Sequence, residues 1–188
     1  MRHVGVIISA VLLAASASVR GADNDEVALK EIGITLPKSI ANIKYQVRED
    51  YDDKKLGYMI GYKNAKCNIS LFVYDAGNKE IPNGKDGELV AKEFKQALAD
   101  IKSAEKKGLI KNLQVMEDEL PLPKTVRSSF ATAGMTFDID GGGCKSYVLL
   151  LGRSDRFFKL RITQFVVNEK TNDDEVNAFL EKIVEQLK

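Results

Sequence analysis

Residues 147–163 read YVLLLGRSDRFFKLRIT, and this stretch decides the fold class. Its opening run, YVLLL, is apolar on both faces of an extended chain, a pattern typical of a strand inside a sheet. A turn signal follows at residues 152–155. Beyond it apolar and polar residues alternate, which predicts a second strand with one apolar face and one solvent-facing side. The apolar positions are Phe158, Leu160 and Ile162, and the polar ones are Lys159, Arg161 and Thr163.

The surrounding sequence extends this hairpin into an antiparallel sheet with helices. Residues 126–166 predict a meander of three strands, with a turn at Asp140-Gly141-Gly142-Gly143. Earlier strands are predicted at 43–47, 57–63 and 67–75, after a polar lead-in, and a short one at 109–115.

Two helices accompany these strands. One is capped by Asp86, begins near Gly87 and stops at Gly108. The other is amphipathic and follows a capping Asn172 near the carboxyl terminus. No internal repeat or linker divides the chain, so one α+β domain is predicted over residues 23–188.

This order of elements resembles the PsbP-like α/β/α sandwich. The likeness covers about residues 40–188 and includes Leu56-Gly57-Tyr58 and the stretch LFVYDAG at 71–77. The family contains photosystem extrinsic subunits, a Ran-binding nuclear transport factor and exported bacterial proteins. A cystatin-like sheet crossed by a helix is the alternative fold. The metal-binding histidines of photosystem members have no counterpart here, so that function does not carry over.

The first residues have the features of a secretory signal peptide. Met1-Arg2-His3 is a short basic start, residues 4–17 are almost uninterruptedly apolar, and small residues suited to cleavage stand between Ala17 and Ala22. The apolar run is shorter than the roughly 20 residues that a membrane-spanning helix needs. We therefore predict a signal peptide at residues 1–22, no membrane span, and a soluble periplasmic or secreted protein.

Composition excludes several classes of function. Lys+Arg total 28 and Asp+Glu total 27, and this balance lacks the positive excess of a general nucleic-acid binder. The one histidine is His3, inside the predicted signal peptide, so the mature chain has no imidazole for a catalytic triad or a typical zinc site. No intrinsic catalysis is expected. The alternative is a carboxylate-dependent hydrolase or a divalent-metal-binding enzyme.

Two cysteines, Cys67 and Cys144, remain in the mature chain. An oxidising compartment favours their pairing, so a structural disulfide is predicted. The alternative is a pair of unpaired thiols in the core.

An acidic turn is the candidate metal site. Glu49, Asp50, Asp52 and Asp53 crowd around Tyr51 and offer the hard oxygen ligands that Ca²⁺ prefers. The alternative is a solvated turn whose charges are offset by neighbouring basic side chains. Apart from this candidate, no cofactor is predicted.

Basic residues gather around the last hairpin and form the candidate binding site. They are Lys145, Arg153, Arg156, Lys159 and Arg161. Such a basic sheet face would receive a phosphate, a carboxylate or an acidic protein partner. The sequence thus predicts an exported binding or accessory module of the cell envelope, with an unidentified protein or a small anion as its partner.

Processing is the first testable consequence. Amino-terminal sequencing of the exported protein is expected to start between Ser18 and Asp23, because the leader is removed after one of the small residues from Ala17 to Ala22. Exported material that still begins at Met1 would contradict the signal-peptide prediction.

Overall fold

The computed structural model describes residues 25–116, 120–167 and 170–188. The predicted signal peptide lies outside these residues. No helix in the described ranges is long and apolar enough to cross a membrane. The strands are β1 (Glu26–Leu29), β2 (Ile34–Pro37), β3 (Ser39–Ile40), β4 (Ile43–Asp50), β5 (Tyr58–Lys63), β6 (Cys67–Tyr74), β7 (Lys111–Val115), β8 (Ala131–Ile139), β9 (Gly142–Arg153) and β10 (Arg156–Phe165). The helices are α1 (Glu88–Lys106), α2 (Lys124–Ser129) and α3 (Asp173–Leu187).

Eight strands form one antiparallel sheet in the order β3-β4-β5-β6-β10-β9-β8-β7. β10 lies between β6 and β9, so that Leu160 pairs with Leu71 on one side and with Leu149 on the other. α1 carries the chain from the end of β6 to β7 at the far edge of the sheet. β1 and β2 form a separate two-stranded hairpin. The predicted α+β class, an antiparallel sheet flanked by helices, is confirmed.

The larger core lies between the sheet and α3. The apolar stripe of α3 includes Phe179 and Ile183, which are fully buried in one cluster with Leu160 and Ile162 of β10. The Phe179 ring packs edge-on against Tyr62 of β5, with 5.1 Å between ring centroids. The β1–β2 hairpin and α2 contribute further side chains to this cluster, so the α3 side of the sheet is covered along most of its width.

α1 covers only part of the opposite face. Its buried residues Ala97, Ile101 and Ala104 belong to one apolar cluster with Met135 of β8 and Val148 of β9. On the β5–β6–β10 part of the same face, Val90 of α1 packs with the buried Tyr74 and Phe157, and other side chains remain half-exposed. The predicted solvent-facing side of β10 is therefore a half-buried surface beside α1. Its half-exposed residues are Gly61, Asn68, Ser70, Phe72, Lys159 and Arg161.

The two turns of the meander are two-residue loops. Asp140 and Gly141 have φ values of 50° and 81°, and Ser154 and Asp155 have 50° and 57°. A positive φ at both central residues is the geometry of a type I′ turn, whose twist matches that of the flanking strands. Gly142 belongs to β9, where it pairs with Ile139, so the predicted four-residue glycine turn is shortened to two residues.

Two stretches differ from the predicted secondary structure. Residues 124–129 form α2 where the sequence pattern predicted the start of a strand, because Pro123 flanks the first turn of a short helix that buries Val126. The lead-in contains β1–β3 because its alternating side chains, such as Leu29 and Leu36, fill the α3 core.

Neither predicted helix cap makes the expected hydrogen bond. α1 begins at Glu88 after Gly87, with no side-chain cap. Asn172 also makes no side-chain cap at the first turn of α3, and its Nδ2 donates to Glu175 Oε2 at 2.5 Å. The same carboxylate oxygen accepts a bond of 2.7 Å from Asn64, which ties the start of α3 to the loop before β6.

The predicted disulfide between Cys67 and Cys144 is wrong, since both cysteines are free and buried. Cys67 lies in the α3 core and Cys144 in the α1 core, on opposite faces of the sheet. β10 separates their strands, so the two backbones are about 10 Å apart, whereas a disulfide needs Cα atoms within about 7 Å. Burial raises the pKa of Cys67 to about 11, which leaves its thiol protonated at neutral pH.

Thiol titration tests this arrangement. Protein unfolded in guanidinium without reductant is expected to give two reactive thiols per chain, while the folded protein reacts slowly because both thiols are buried. The measurement is the absorbance released from an aromatic disulfide reagent. A value of zero in the unfolded protein would mean that a disulfide exists.

Candidate functional site

The predicted basic residues are divided between the two faces of the sheet. Lys159 and Arg161 lie on the face that α1 partly covers, because they alternate along β10 with the α3-facing Leu160 and Ile162. The other three are Lys145, Arg153 and Arg156. Along β9 and β10 they are in step with the residues that face α3, so they lie on the α3 side of the sheet. The predicted face of five basic residues is therefore corrected to a pair, because strand alternation separates the others from it.

Lys145 serves to hold α3 against the sheet. Its Nζ forms an ion pair of 2.9 Å with Asp173 in the first turn of α3, and Gln164 Nε2 donates to the same carboxylate at 2.9 Å. Burial acts to raise the pKa of Asp173, but hydrogen bonds from Gln164, Lys145 and Thr171 outweigh it and lower that pKa. Lys145 is thus already neutralised by the protein itself.

Arg153 and Arg156 also have partners within the chain. Arg153 Nη1 donates to the carbonyl of Leu187 at 2.6 Å and its Nε to the carbonyl of Ile32 at 2.8 Å, which connects the end of α3 with the turn after β1. Arg156 forms an ion pair with Asp75. These two guanidinium groups stabilise contacts between elements and leave little capacity for a ligand.

Lys159 lies among aromatic rings next to α1. Its Nζ is 5.1 Å from the ring centroid of Phe72 and 4.8 Å from that of Tyr74, within the range of cation–π attraction. The Tyr74 hydroxyl donates to Glu93 of α1 at 2.7 Å. Burial lowers the pKa of Lys159, and the negative charges of Glu93 and Asp100 oppose this shift in part.

Arg161 is the arginine that the fold leaves without an acceptor. Among the described residues, Arg48, Arg127, Arg153 and Arg156 each donate to a carboxylate or a carbonyl oxygen. Arg161 is half-buried and has no such bond in the described part of the chain. Burial alone lowers the pKa of its guanidinium, with no acidic side chain acting on it. It is therefore a partly buried positive charge for which the described residues provide no counter-charge.

Uncharged side chains lie beside Arg161 on the neighbouring strands. Its cross-strand neighbours are Ser70 on β6 and Val148 on β9. Asn68 lies one step further along β6 on the same face, and its Oδ1 is buried without a hydrogen-bond partner. The surface thus presents an unpaired cation, whereas the buried Oδ1 of Asn68 is an acceptor and offers no hydrogen bond to an anion.

The candidate Ca²⁺ ligands do not converge. Asp50 pairs with Arg48 at 2.9 Å, and Asp53 accepts a bond of 3.0 Å from the backbone of Lys55 at the start of a 3-10 turn. Glu49 and Asp52 are exposed. In residues 25–116, 120–167 and 170–188 no three Asp, Glu, His or Cys side chains form a group that could hold a metal ion. The Ca²⁺ site remains a prediction from sequence.

Sequence reasoning missed a polar cleft beside Tyr58. This cleft of about 250 Å³ is lined in part by Glu31, Arg48 and Asp50. The Tyr58 hydroxyl donates to Glu31 at 2.8 Å, and the guanidinium of Arg48 lies 3.8 Å above the Tyr58 ring. Alternation along β4 could have placed Arg48 beside Asp50, but no local pattern connects Glu31 with Tyr58. Because these charged groups already have partners, we do not assign a ligand to the cleft.

Opposite pKa shifts distinguish the two lysines. Burial lowers the pKa of Lys159, whereas contacts with Tyr147 and Asp173 outweigh burial and raise that of Lys145. In protein whose lysines carry ¹³C-methyl groups, the Lys159 resonance is expected to titrate at lower pH than a free lysine derivative methylated in the same way, and the Lys145 resonance at higher pH. Single Lys→Arg variants assign the resonances. Titration of Lys159 together with the free lysine derivative would mean that Lys159 is solvated.

Comparison with known proteins assigns no family to the chain. No family model, no curated protein and no solved structure matches it. The interpretation of this surface therefore depends on its own geometry, and above all on Arg161.

Proposed function

We propose that this protein is an exported binding module that holds a small anionic ligand on the half-covered sheet face beside α1. The observation that carries the proposal is the half-buried guanidinium of Arg161, which has no acceptor among the described residues while the other described arginines do. The acceptor that Arg161 lacks within the fold would be supplied by the ligand.

Energetics favour this interpretation over a purely structural one. Removing a charged group from water costs several kcal/mol unless an opposite charge or hydrogen bonds offset the loss. A carboxylate or phosphate accepts two parallel bonds from a guanidinium, which lysine cannot offer. Each hydrogen bond to a charged group contributes about 1.5–3 kcal/mol. Binding of an anion would therefore relieve a cost that the unliganded fold carries at Arg161.

The charge of the surface sets the charge of the ligand. Glu93 and Asp100 of α1 act on Lys159 and partly compensate it, whereas no acidic group acts on Arg161. Arg161 and the partly compensated Lys159 lie two residues apart on the same face, so this part of the surface suits a small anion. A polyanion such as a nucleic acid would also be repelled by the two carboxylates on α1.

Two further parts of the proposal have separate support. Export to the periplasm or the exterior is supported by the basic start and the apolar run of residues 1–17. Membership of the PsbP-like α/β/α group is supported by α1 and α3 on opposite faces of an antiparallel sheet, a feature that a cystatin-like fold with one crossing helix lacks.

Acetate titration tests the anion site. Addition of sodium acetate to ¹⁵N-labelled protein is expected to shift the Arg161 Nε–H resonance and the backbone amides of Ser70 and Val148 in a saturable manner. In Arg161→Gln the acetate affinity obtained from the amide shifts should fall about 10- to 100-fold. This is the loss expected when one hydrogen bond to a charged group is removed.

The control is Lys92→Gln, which removes one positive charge from an exposed position on α1 and should leave acetate affinity unchanged. Equal affinities in the wild type and Arg161→Gln, or no saturable shift at all, would overturn the proposal.

A further inference from the structure

We infer that the ligand is a small 2-oxo acid, which Lys159 binds reversibly as a Schiff base while Arg161 holds its carboxylate. The inference rests on the proposed anion site at Arg161 and adds a covalent contact and the chemical class of the ligand. It follows from the positions of the two side chains on β10, from the lack of acceptors for both, and from the surroundings of the Lys159 amine.

Lys159 and Arg161 are neighbours on one face of β10. Two residues along a strand span about 7 Å, and their side chains leave the same side of the sheet. The charge of Arg161 acts on Lys159, so the two cationic groups lie within electrostatic range of each other. One small ligand would therefore contact both side chains.

Neither side chain has an acceptor in the described part of the chain. Burial is the only influence on Arg161, and the Lys159 amine has the rings of Phe72 and Tyr74 as neighbours in place of an acceptor. The Tyr74 hydroxyl donates to Glu93 at 2.7 Å, so its hydrogen is already used within the fold. Two adjacent cations without an acceptor on a central strand carry a cost that a ligand with matching groups would offset.

The surroundings of Lys159 favour the neutral amine, which is the nucleophilic form. Burial lowers the pKa of Lys159, the charge of Arg161 lowers it further, and Glu93 and Asp100 oppose these effects only in part. A lysine that forms Schiff bases is typically desolvated or lies next to another cationic group, and Lys159 meets both conditions. The residue is also half-exposed, so α1 does not seal it from solvent.

The reaction balances without a further reactant. The Lys159 ammonium gives up a proton, and the nitrogen lone pair attacks the carbonyl carbon to form the carbon–nitrogen bond of a carbinolamine. The carbonyl oxygen takes up two of the three ammonium protons and leaves as water, which gives the protonated imine. The sum is ammonium plus ketone to iminium plus water, so no oxidant or reductant is needed.

The position of Arg161 selects a carbonyl that stands next to a carboxylate. A carboxylate accepts two parallel hydrogen bonds from a guanidinium. In a 2-oxo acid the carbonyl carbon is bonded directly to the carboxylate, so the two groups would reach two adjacent side chains of one strand face. A ketone without a carboxylate would lack the contact with Arg161, and a carboxylate without a carbonyl would lack the covalent bond.

Reductive trapping tests the inference. The purified protein is incubated with pyruvate and sodium cyanoborohydride, which reduces an imine to a stable amine, and labelled lysines are located by peptide mass mapping. The rate at Lys159 is divided by the rate at exposed Lys92. This ratio is expected to be at least about 10-fold higher with pyruvate than with acetone, which has the carbonyl and no carboxylate, because Arg161 holds only pyruvate by charged hydrogen bonds.

Variants identify the two contacts. Arg161→Gln should bring the pyruvate ratio down to that of acetone. Lys95→Gln is the matched control, since it removes one positive charge from an exposed position on α1 and should keep the full ratio. Should Arg161→Gln not fold, as judged by its melting temperature, Arg161→Lys replaces it and should lower the ratio in part, because lysine keeps the charge but cannot form two parallel bonds.

The outcomes separate this inference from the proposed function. Acetate binding at Arg161, together with a labelling ratio that is the same for pyruvate and acetone, would overturn the Schiff base and leave the anion site intact. Absence of both acetate binding and preferential labelling would overturn both. A preference for pyruvate that persists in Arg161→Gln would also overturn the inference, because the carboxylate would then be held elsewhere.

Discussion

The pleat of β10 is the constraint on which the rest of the structure depends. β10 lies between β6 and β9 and is paired along its length with both, so its register is held from two sides. With this register Phe158, Leu160 and Ile162 enter the α3 core. A shift by one residue would place Lys159 and Arg161 in that core and leave the apolar side chains on the half-exposed face. The position of Arg161 is therefore a consequence of the same pairing that forms the core.

The basic residues near the last hairpin fall into two groups, those with partners in the chain and Arg161. Lys145, Arg153 and Arg156 are held by Asp173, by backbone carbonyls and by Asp75, and each connects elements that are distant along the chain. Arg161 receives no comparable partner in the described residues, although it lies in a central strand. A balanced total charge therefore conceals an uneven local distribution. This contrast is what separates a candidate ligand-binding cation from structural ones.

The shape of the surface follows from how α1 crosses the sheet. Its buried side chains Ala97 and Ala104 pack with residues of β8 and β9, and Val90 near its start packs with Tyr74 of β6 and Phe157 of β10. Beyond these contacts Arg161 and its cross-strand neighbour Ser70 remain half-exposed. This is the part of the sheet on which we propose that an anion binds.

The sequence by itself determined what depends on near neighbours. Apolar alternation predicted β4–β6 and the β8–β10 meander, helical spacing predicted α1 and α3, and strand parity placed Lys159 and Arg161 on one face. These properties repeat every two to four residues, so a short window contains them. The tertiary structure alone decided which distant groups meet: Cys67 and Cys144 on opposite faces, Asn172 drawn to Glu175 instead of capping α3, and Lys145 bound to Asp173. It also decided that Arg161 meets no acceptor in the described chain. Strand order and helix placement are set by the packing of the whole core, and no local pattern encodes them.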